Sequence, residues 1–205
     1  MRCGIVLAAG EATRLPNKPL LPLRNGRPAI TSAIDFCRRA RCGRVVIVVG
    51  PNSAVPLVLQ TLEPSGLNYA VQREPDGVRD AITCAANFVE DLALITFCDN
   101  VYDERDCGPE VGETAPLVSV RWRHPAQLDW YDFQKMRWQE RESGSERWCL
   151  AGWYLLGREH IEVGLSSQLT SVEYLNMIKA RARQVKGSWH EVGTAESYLD
   201  YWSES

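Results

Sequence analysis

Four short apolar runs, separated by three helical stretches, commit the first half of this 205-residue chain to a mostly parallel sheet. They are Ile5–Ala8, Arg44–Val49, Leu67–Val71 and Leu92–Phe97. Each is too short for a stable helix and nearly free of polar residues, the pattern of a strand covered on both faces. Between them, Pro28–Ala40 reads as an amphipathic helix opened by a proline, with further helices near Ser53–Leu62 and over Gly77–Val89. Strands joined by crossover helices build an α/β sheet that receives ligands at the carboxyl ends of its strands.

The second half changes character. Leu117–Arg123, Phe133–Gln139 and Trp148–Leu156 alternate or run aromatic, and the turn signal Glu142-Ser143-Gly144-Ser145 lies between the last two, so some of this β structure is antiparallel. A helix is expected over Ser171–Ala182, with Ser171 as its cap, then a strand near Gln184–Trp189 and a terminal helix from Thr194. With no repeat or linker in view, residues 1–205 read as a single domain, 1–110 as one half and 111–205 as the other.

Composition excludes several classes. A formal net charge of −3 leaves no excess of basic residues for nucleic acid, and Arg121-Trp122-Arg123 stands without a wider basic stripe. No run reaches membrane-spanning length, and Met1-Arg2 opens directly into the first strand, so no membrane partner and a cytoplasmic location are expected. The cysteines (Cys3, Cys37, Cys42, Cys84, Cys98, Cys107 and Cys149) form no C-x-x-C pair, which argues for reduced thiols over a disulfide scaffold or zinc site. His124, His160 and His190 are scattered and read as structural or surface residues.

The chemistry concentrates in Gly4–Leu23, GIVLAAGEATRLPNKPLLPL. A strand ends in Ala8-Ala9-Gly10, Thr13-Arg14 follow, and Lys18 stands in an Asn-Lys-Pro turn. Small residues let the backbone approach a ligand and offer its N–H groups to anionic oxygens, while arginine and lysine add charge. That order suits a polyphosphate. Farther on, Gln72 ends a strand before a Pro-Asp-Gly turn at Gly77, and its amide can both donate to and accept from a pyrimidine edge. Asp99, in Phe97-Cys98-Asp99-Asn100, projects a carboxylate from a strand end toward the same crevice.

The first segment resembles the signature loop of the sugar-1-phosphate nucleotidyltransferases, LAAG-x-G-T-R-L followed by P-K-P-L-L-P-V. Val71–Ile82 is similar to their Q-x-x-P-x-G-[LV]-x-x-A, Asp99-Asn100 to L-G-D-N, Trp189–Ser197 to W-x-D-x-G-T-x-x-S, and Ala151–Tyr154 to A-G-x-Y. The resemblance implies a Rossmann-like three-layer sandwich around a mostly parallel mixed sheet. It also implies a nucleotide-binding half before an acceptor-binding half. The implied roles are nucleotide binding for Ala8, Ala9, Gly10, Thr13, Gln72 and Gly77, catalysis for Arg14 and Lys18, Mg2+ binding for Asp99 and Glu191, and acceptor binding for Arg141 and Gly152. The implied partners are a nucleoside triphosphate, dTTP or UTP, and a sugar phosphate; a homo-oligomer is a possible assembly.

Three departures stand against the pattern: Ala12 in place of the second glycine, Glu191 in place of aspartate, and Gln168 where a sugar-binding glutamate is usual. The short RLPNKPL stretch is instead similar to the R-L-P-G-K-P-L of CMP-sugar synthetases. Two alternatives therefore stay open, a cytidylyltransferase making a CMP- or CDP-linked product and a catalytically weak nucleotide-binding homologue.

Overall fold

A computed structural model describes residues 1–10, 15–62, 66–74, 76–102, 108–110, 112–123, 129–140, 147–165, 169–185 and 189–203. The four apolar runs are strands β1 (Arg2–Ala8), β2 (Arg44–Val49), β3 (Leu67–Val71) and β4 (Leu92–Phe97), linked by helices α1 (Ala29–Arg39), α2 (Val55–Leu62) and α3 (Gly77–Cys84). β1 pairs in parallel with both β2 and β4, and β2 with β3. The chain thus winds outward from β1 through β2 to β3, then returns to place β4 on the other side of β1. That reversal leaves a crevice between the carboxyl ends of β1 and β4, the point where open α/β sheets bind ligands.

Alternation along the strands explains the layers. Val6, Val45, Ile47, Val49 and Leu94 face one side and pack on Ile30, Ala33, Ile34 and Cys37 of α1 and on Val55 and Leu59 of α2. Ile5, Leu7, Val46, Val48, Ala93 and Ile95 face the other and pack on Ala81 and Ile82 of α3 and on Ile161 of α4 (Arg158–Leu165). With both faces covered, the strands lose the apolar–polar alternation of a half-exposed sheet. The result is a three-layer Rossmann-like sandwich with a mostly parallel mixed sheet.

The second half extends the same sheet. After the short strand β5 (Asn100–Tyr102), strand β6 (Leu117–Arg123) and the long β9 (Arg147–Gly157) join it, β9 running antiparallel between β4 and β6. Strands β7 (Trp130–Asp132) and β8 (Arg137–Gln139) form a hairpin against β9. Strand β10 (Arg181–Gln184) lies parallel to β6 at the edge, and β11 (Trp189–Glu191) pairs separately and antiparallel with β5. Helices α5 (Ser171–Met177) and α6 (Ala195–Ser203) complete the chain.

Several boundaries differ from the sequence expectation, each for a local reason. Phe133–Gln139 is not one strand: Asp132 Oδ1 accepts from the backbone of Gln134 and Lys135 at 3.0 and 3.1 Å, and Met136 takes a left-handed φ of 52°. A side chain that substitutes for a backbone acceptor turns the chain there. The cap of α5 is Thr170, not Ser171. Thr170 Oγ1 accepts from Glu173 N while the Glu173 carboxylate accepts from Thr170 N, a capping box. That helix ends early because Lys179 is left-handed and Ala180 N donates back to Leu175 O at 2.8 Å. α3 likewise stops at Cys84 and tightens into a 3-10 turn over Ala86–Phe88. The strand expected near Gln184–Trp189 is two strands, β10 and β11. The turn expected at 142–145 lies outside the described residues.

Cys3, Cys37, Cys42, Cys84, Cys98 and Cys149 are free thiols; Cys107 and His124 lie outside the described residues. His160 Nδ1 accepts from Gly157 N at 3.1 Å, and His190 packs edge-on against Tyr201. Among the described residues no helix is long and apolar enough to cross a membrane.

Trp138 anchors the outer part of the sheet. It is 1% exposed, packs on Tyr131, and donates from Nε1 to Ala180 O at 2.9 Å. Asn176 clamps its backbone from both sides, accepting from Trp138 N at 2.8 Å and donating to Trp138 O at 3.0 Å. Replacing Trp138 with alanine removes the indole from a packed core and leaves a cavity, so unfolding in denaturant should show a loss of about 3–5 kcal/mol. A loss below ~1 kcal/mol would mean that the hairpin is dispensable to the core.

Candidate functional site

The crevice is walled on one side by the end of β1. Ala8, Ala9 and Gly10 line a cleft of about 330 Å³ together with Asn17, Pro19, Leu20 and the stretch Gly50–Val55 after β2. Thr13 and Arg14 lie outside the described residues, as does Arg141. The chain re-enters at a tight turn. Asn17 is left-handed at φ 54°, its carbonyl accepts from Leu20 N at 2.8 Å, and a short 3-10 helix covers Lys18–Leu20. The segment is then tied to the start of α1 by Ala29 N donating to Leu21 O at 2.8 Å, and to α6 by Tyr198 OH donating to Pro22 O at 2.6 Å. Arg24 lies over the ring of Tyr201, 4.4 Å from its centroid. These ties hold Lys18 in place although its turn is short.

That cleft opens toward β2; on the opposite flank of β1, outside its lining, Asp99 follows β4. Its Oδ2 accepts from Lys18 Nζ at 2.7 Å, with the two side chains only 11% and 20% exposed. Shielding from water strengthens the attraction between the two charges, while the desolvation of both offsets that gain. Eighty-one positions apart in sequence, the two residues meet because β1 and β4 are sheet neighbours. Beneath them the Cys98 thiol is pushed well above its ordinary pKa, first by burial and then by the adjacent Asp99 charge.

Glu191 arrives by a different route. β11 pairs with β5 so that Glu191 lies opposite Asn100, and Val192 N donates to Asp99 O at 2.8 Å. A Cβ built on the buried Gly193 would stand 3.0 Å from Asp99 Oδ2 and 3.3 Å from Glu191 Oε1, so both carboxylates border one point. Two carboxylates with room for phosphate oxygens and waters suit Mg2+, which seldom takes an all-protein cage. The same spacing makes Gly193→Ala a probe. An added methyl crowds the Asp99 carboxylate by a few tenths of an ångström, and binding of a divalent ion at this point should weaken about tenfold or more, the usual cost of disturbing how a ligand is held. Titration with Mn2+ followed by electron paramagnetic resonance would show it, and unchanged affinity would detach Gly193 from the site.

Gly152, on β9, has φ +52°, and a Cβ there would sit 3.2 Å from Tyr102 OH. Its carbonyl accepts from Asn100 Nδ2 at 2.9 Å and lies 2.8 Å from Tyr102 OH and 3.2 Å from Thr96 Oγ1; one of these hydroxyls donates to it and the other to its fellow hydroxyl. This buried network fixes the β4–β5 corner that carries Asp99. Asn100 could be read from its place beside Asp99; nothing in the sequence signals the part of Tyr102 or Thr96.

Gln72 lies at the end of β3, and its backbone N donates to Val49 O at 2.9 Å. Its side chain differs from the expectation of an amide that both donates and accepts. Nε2 is taken up by Asp80 Oδ2 at 2.7 Å and by Gly77 O at 3.2 Å. Gly77, at φ +81°, opens α3 in a conformation that favours glycine. Asp80 was missed, because an acid in a helix's first turn reads simply as favourable to the helix dipole.

Known proteins resemble this chain in part or over nearly all of its length. A bifunctional protein GlmU from Clostridium perfringens is 31% identical over 91 residues, covering 43% of this chain and 20% of that protein. Its counterpart from Bdellovibrio bacteriovorus is 38% identical over 84 residues, covering 40% and 18%. The chain thus spans about a fifth of the length of the curated relatives it matches. Two crystal structures share the fold over nearly the whole chain. One is assigned as a glucose-1-phosphate thymidylyltransferase from Bacillus anthracis in complex with a sucrose (TM-score 0.81, 18% identity, covering 99% of this chain and 94% of that one). The other is a UDP-glucose pyrophosphorylase complexed with UDP-glucose (TM-score 0.82, 16% identity, 99% and 97%). The family model of the MobA-like NTP transferase domain matches residues 4–107, just over half of the chain. By that match, and with Lys18 and Asp99 joined at the mouth of the sheet, the chain belongs to the MobA-like NTP transferase domain family.

Proposed function

We propose that this chain transfers a nucleotidyl group from a pyrimidine nucleoside triphosphate, dTTP or UTP, to a sugar 1-phosphate and releases pyrophosphate. The observation that carries the reading is the contact between Lys18 Nζ and Asp99 Oδ2, 2.7 Å, where β4 ends beside the small-residue end of β1. A cation and an acid so placed suit a polyphosphate and the metal that accompanies it. The named partners of the shared fold, a thymidylyltransferase and a UDP-glucose complex, support the choice of nucleotide class.

In this reading residues 1–110 hold the nucleotide and 111–205 the acceptor, with Gly152 and Arg141 on the acceptor side. Ala8, Ala9, Gly10 and Thr13 admit the nucleotide close to the backbone. Arg14 grips the β- and γ-phosphates. Lys18 leaves Asp99 for the α-phosphate and the incoming phosphate oxygen. That oxygen attacks the α-phosphorus in line, a P–O bond forms, and the bond to the departing pyrophosphate breaks. A phosphate monoester is already a nucleophile at neutral pH, so the step needs no general base and no covalent intermediate. Asp99 and Glu191 would hold Mg2+, which when bound neutralises phosphate charge in the transition state.

Pyrophosphate release measured with dTTP, UTP, CTP, GTP and ATP, against a set of sugar 1-phosphates, tests the proposal. Release with dTTP or UTP is expected. Release with CTP alone would favour the CMP- or CDP-linked product suggested by RLPNKPL, and nucleotide binding without release would favour the catalytically weak homologue.

A further inference from the structure

Gln72 is a polar side chain with 3% exposure at the carboxyl end of β3. Both atoms that meet its Nε2, the Asp80 carboxylate oxygen at 2.7 Å and the Gly77 carbonyl at 3.2 Å, can only accept. The orientation of the amide is therefore dictated by chemistry. Turning it by half a rotation would set Oε1 against a carboxylate and a carbonyl and leave both without a donor. With its two N–H bonds committed, Gln72 keeps only Oε1, which accepts from no described residue. Asp80 stands three residues after Gly77, so the first turn of α3 delivers both anchors, one from the backbone and one from a side chain. Of the two, the bond to the charged carboxylate is the shorter and stronger.

We infer that Asp80 locks Gln72 as a pure acceptor, so that the site takes a base whose ring nitrogen carries a hydrogen and rejects one whose ring nitrogen is a bare lone pair. The inference rests on the nucleotide-site reading above, in which Gln72 faces the base. Uracil and thymine present N3–H, which Oε1 accepts. Cytosine presents an unprotonated N3, and two lone pairs would meet. An unanchored glutamine could rotate and serve either base; here Asp80 forbids it. Asp80 is a positioning residue, acting on the base through Gln72.

Isothermal titration of the full chain with UTP, dTTP, CTP, GTP and ATP in the presence of Mg2+ tests this, on the wild type and on Asp80→Asn and Asp80→Glu. Asparagine can face Gln72 with either its oxygen or its nitrogen, so it tolerates both amide orientations. The wild type should bind UTP or dTTP at least ~30-fold tighter than CTP, in keeping with the discrimination of a site built around one hydrogen bond. Asp80→Asn should shrink that ratio about tenfold, mostly by tighter CTP binding, and Asp80→Glu should hold it. A folded Asp80→Asn that weakens all nucleotides alike, ratio unchanged, would overturn the inference and leave Asp80 a structural residue. So would a wild type that prefers CTP or ATP. Preference for GTP, whose N1 carries a hydrogen, would uphold the inference and overturn the pyrimidine reading instead. A folded wild type that binds no nucleotide would overturn the nucleotide site and the inference together.

Discussion

Lys18→Ala is expected to cut pyrophosphate release about 10²–10³-fold while the chain stays folded, the usual loss when one preorganised charge is removed from a transition state. Lys18 stands on a short 3-10 helix and belongs to none of the apolar clusters of the core. The effect should fall on turnover more than on nucleotide affinity, because its ammonium is assigned to the α-phosphate and the attacking oxygen, where charge is redistributed. Lys18→Arg should recover only part of the loss: a planar guanidinium keeps the charge but not the point geometry. Near-normal release in a folded Lys18→Ala would remove this residue from the chemistry.

Asp99→Ala should lose at least as much, and in a different way. Removing Lys18 leaves a partly buried carboxylate without its nearest cation, so divalent-ion affinity should hold or rise. Removing Asp99 deletes one of the two carboxylates proposed to hold the metal, so affinity should collapse along with turnover. Titration with Mn2+ followed by electron paramagnetic resonance separates the two variants, beside the pyrophosphate assay. Stability should not suffer in step. The ammonium left behind is 20% exposed and can be hydrated, and groups held together for a ligand are often not optimal for the fold itself. Equal Mn2+ affinity in Asp99→Ala and the wild type would move the metal site elsewhere and take the mechanism with it.

The four parallel strands were legible because their signal is local and redundant. Val45–Val49 is continuously apolar since both faces of β2 are covered, and no other short element needs that composition. The hairpin was less legible. Trp130, Tyr131, Phe133 and Trp138 look alike as strand formers, and only the backbone bonds of Asp132 decide where the turn falls. β5 was missed entirely: three residues, Asn100–Tyr102, form a strand only because β11 comes back ninety residues later to pair with them. The site divides in the same way. Lys18, Gln72, Asp99 and Glu191 stood out as residue types in recognisable surroundings, whereas Asp80 and Tyr102 act through partners that no spacing announces.

Sequence alone settled the α/β architecture and the small-residue end of β1, and it singled out the residues proposed for phosphate and metal, since turn chemistry and strand burial are written in neighbouring positions. Tertiary structure alone decided that Lys18 meets Asp99, that Glu191 borders the same point, and that Gln72 offers an oxygen and not an amine. Those outcomes depend on strand order and on contacts between distant segments, whose cost in chain entropy is repaid only by the packed sheet as a whole.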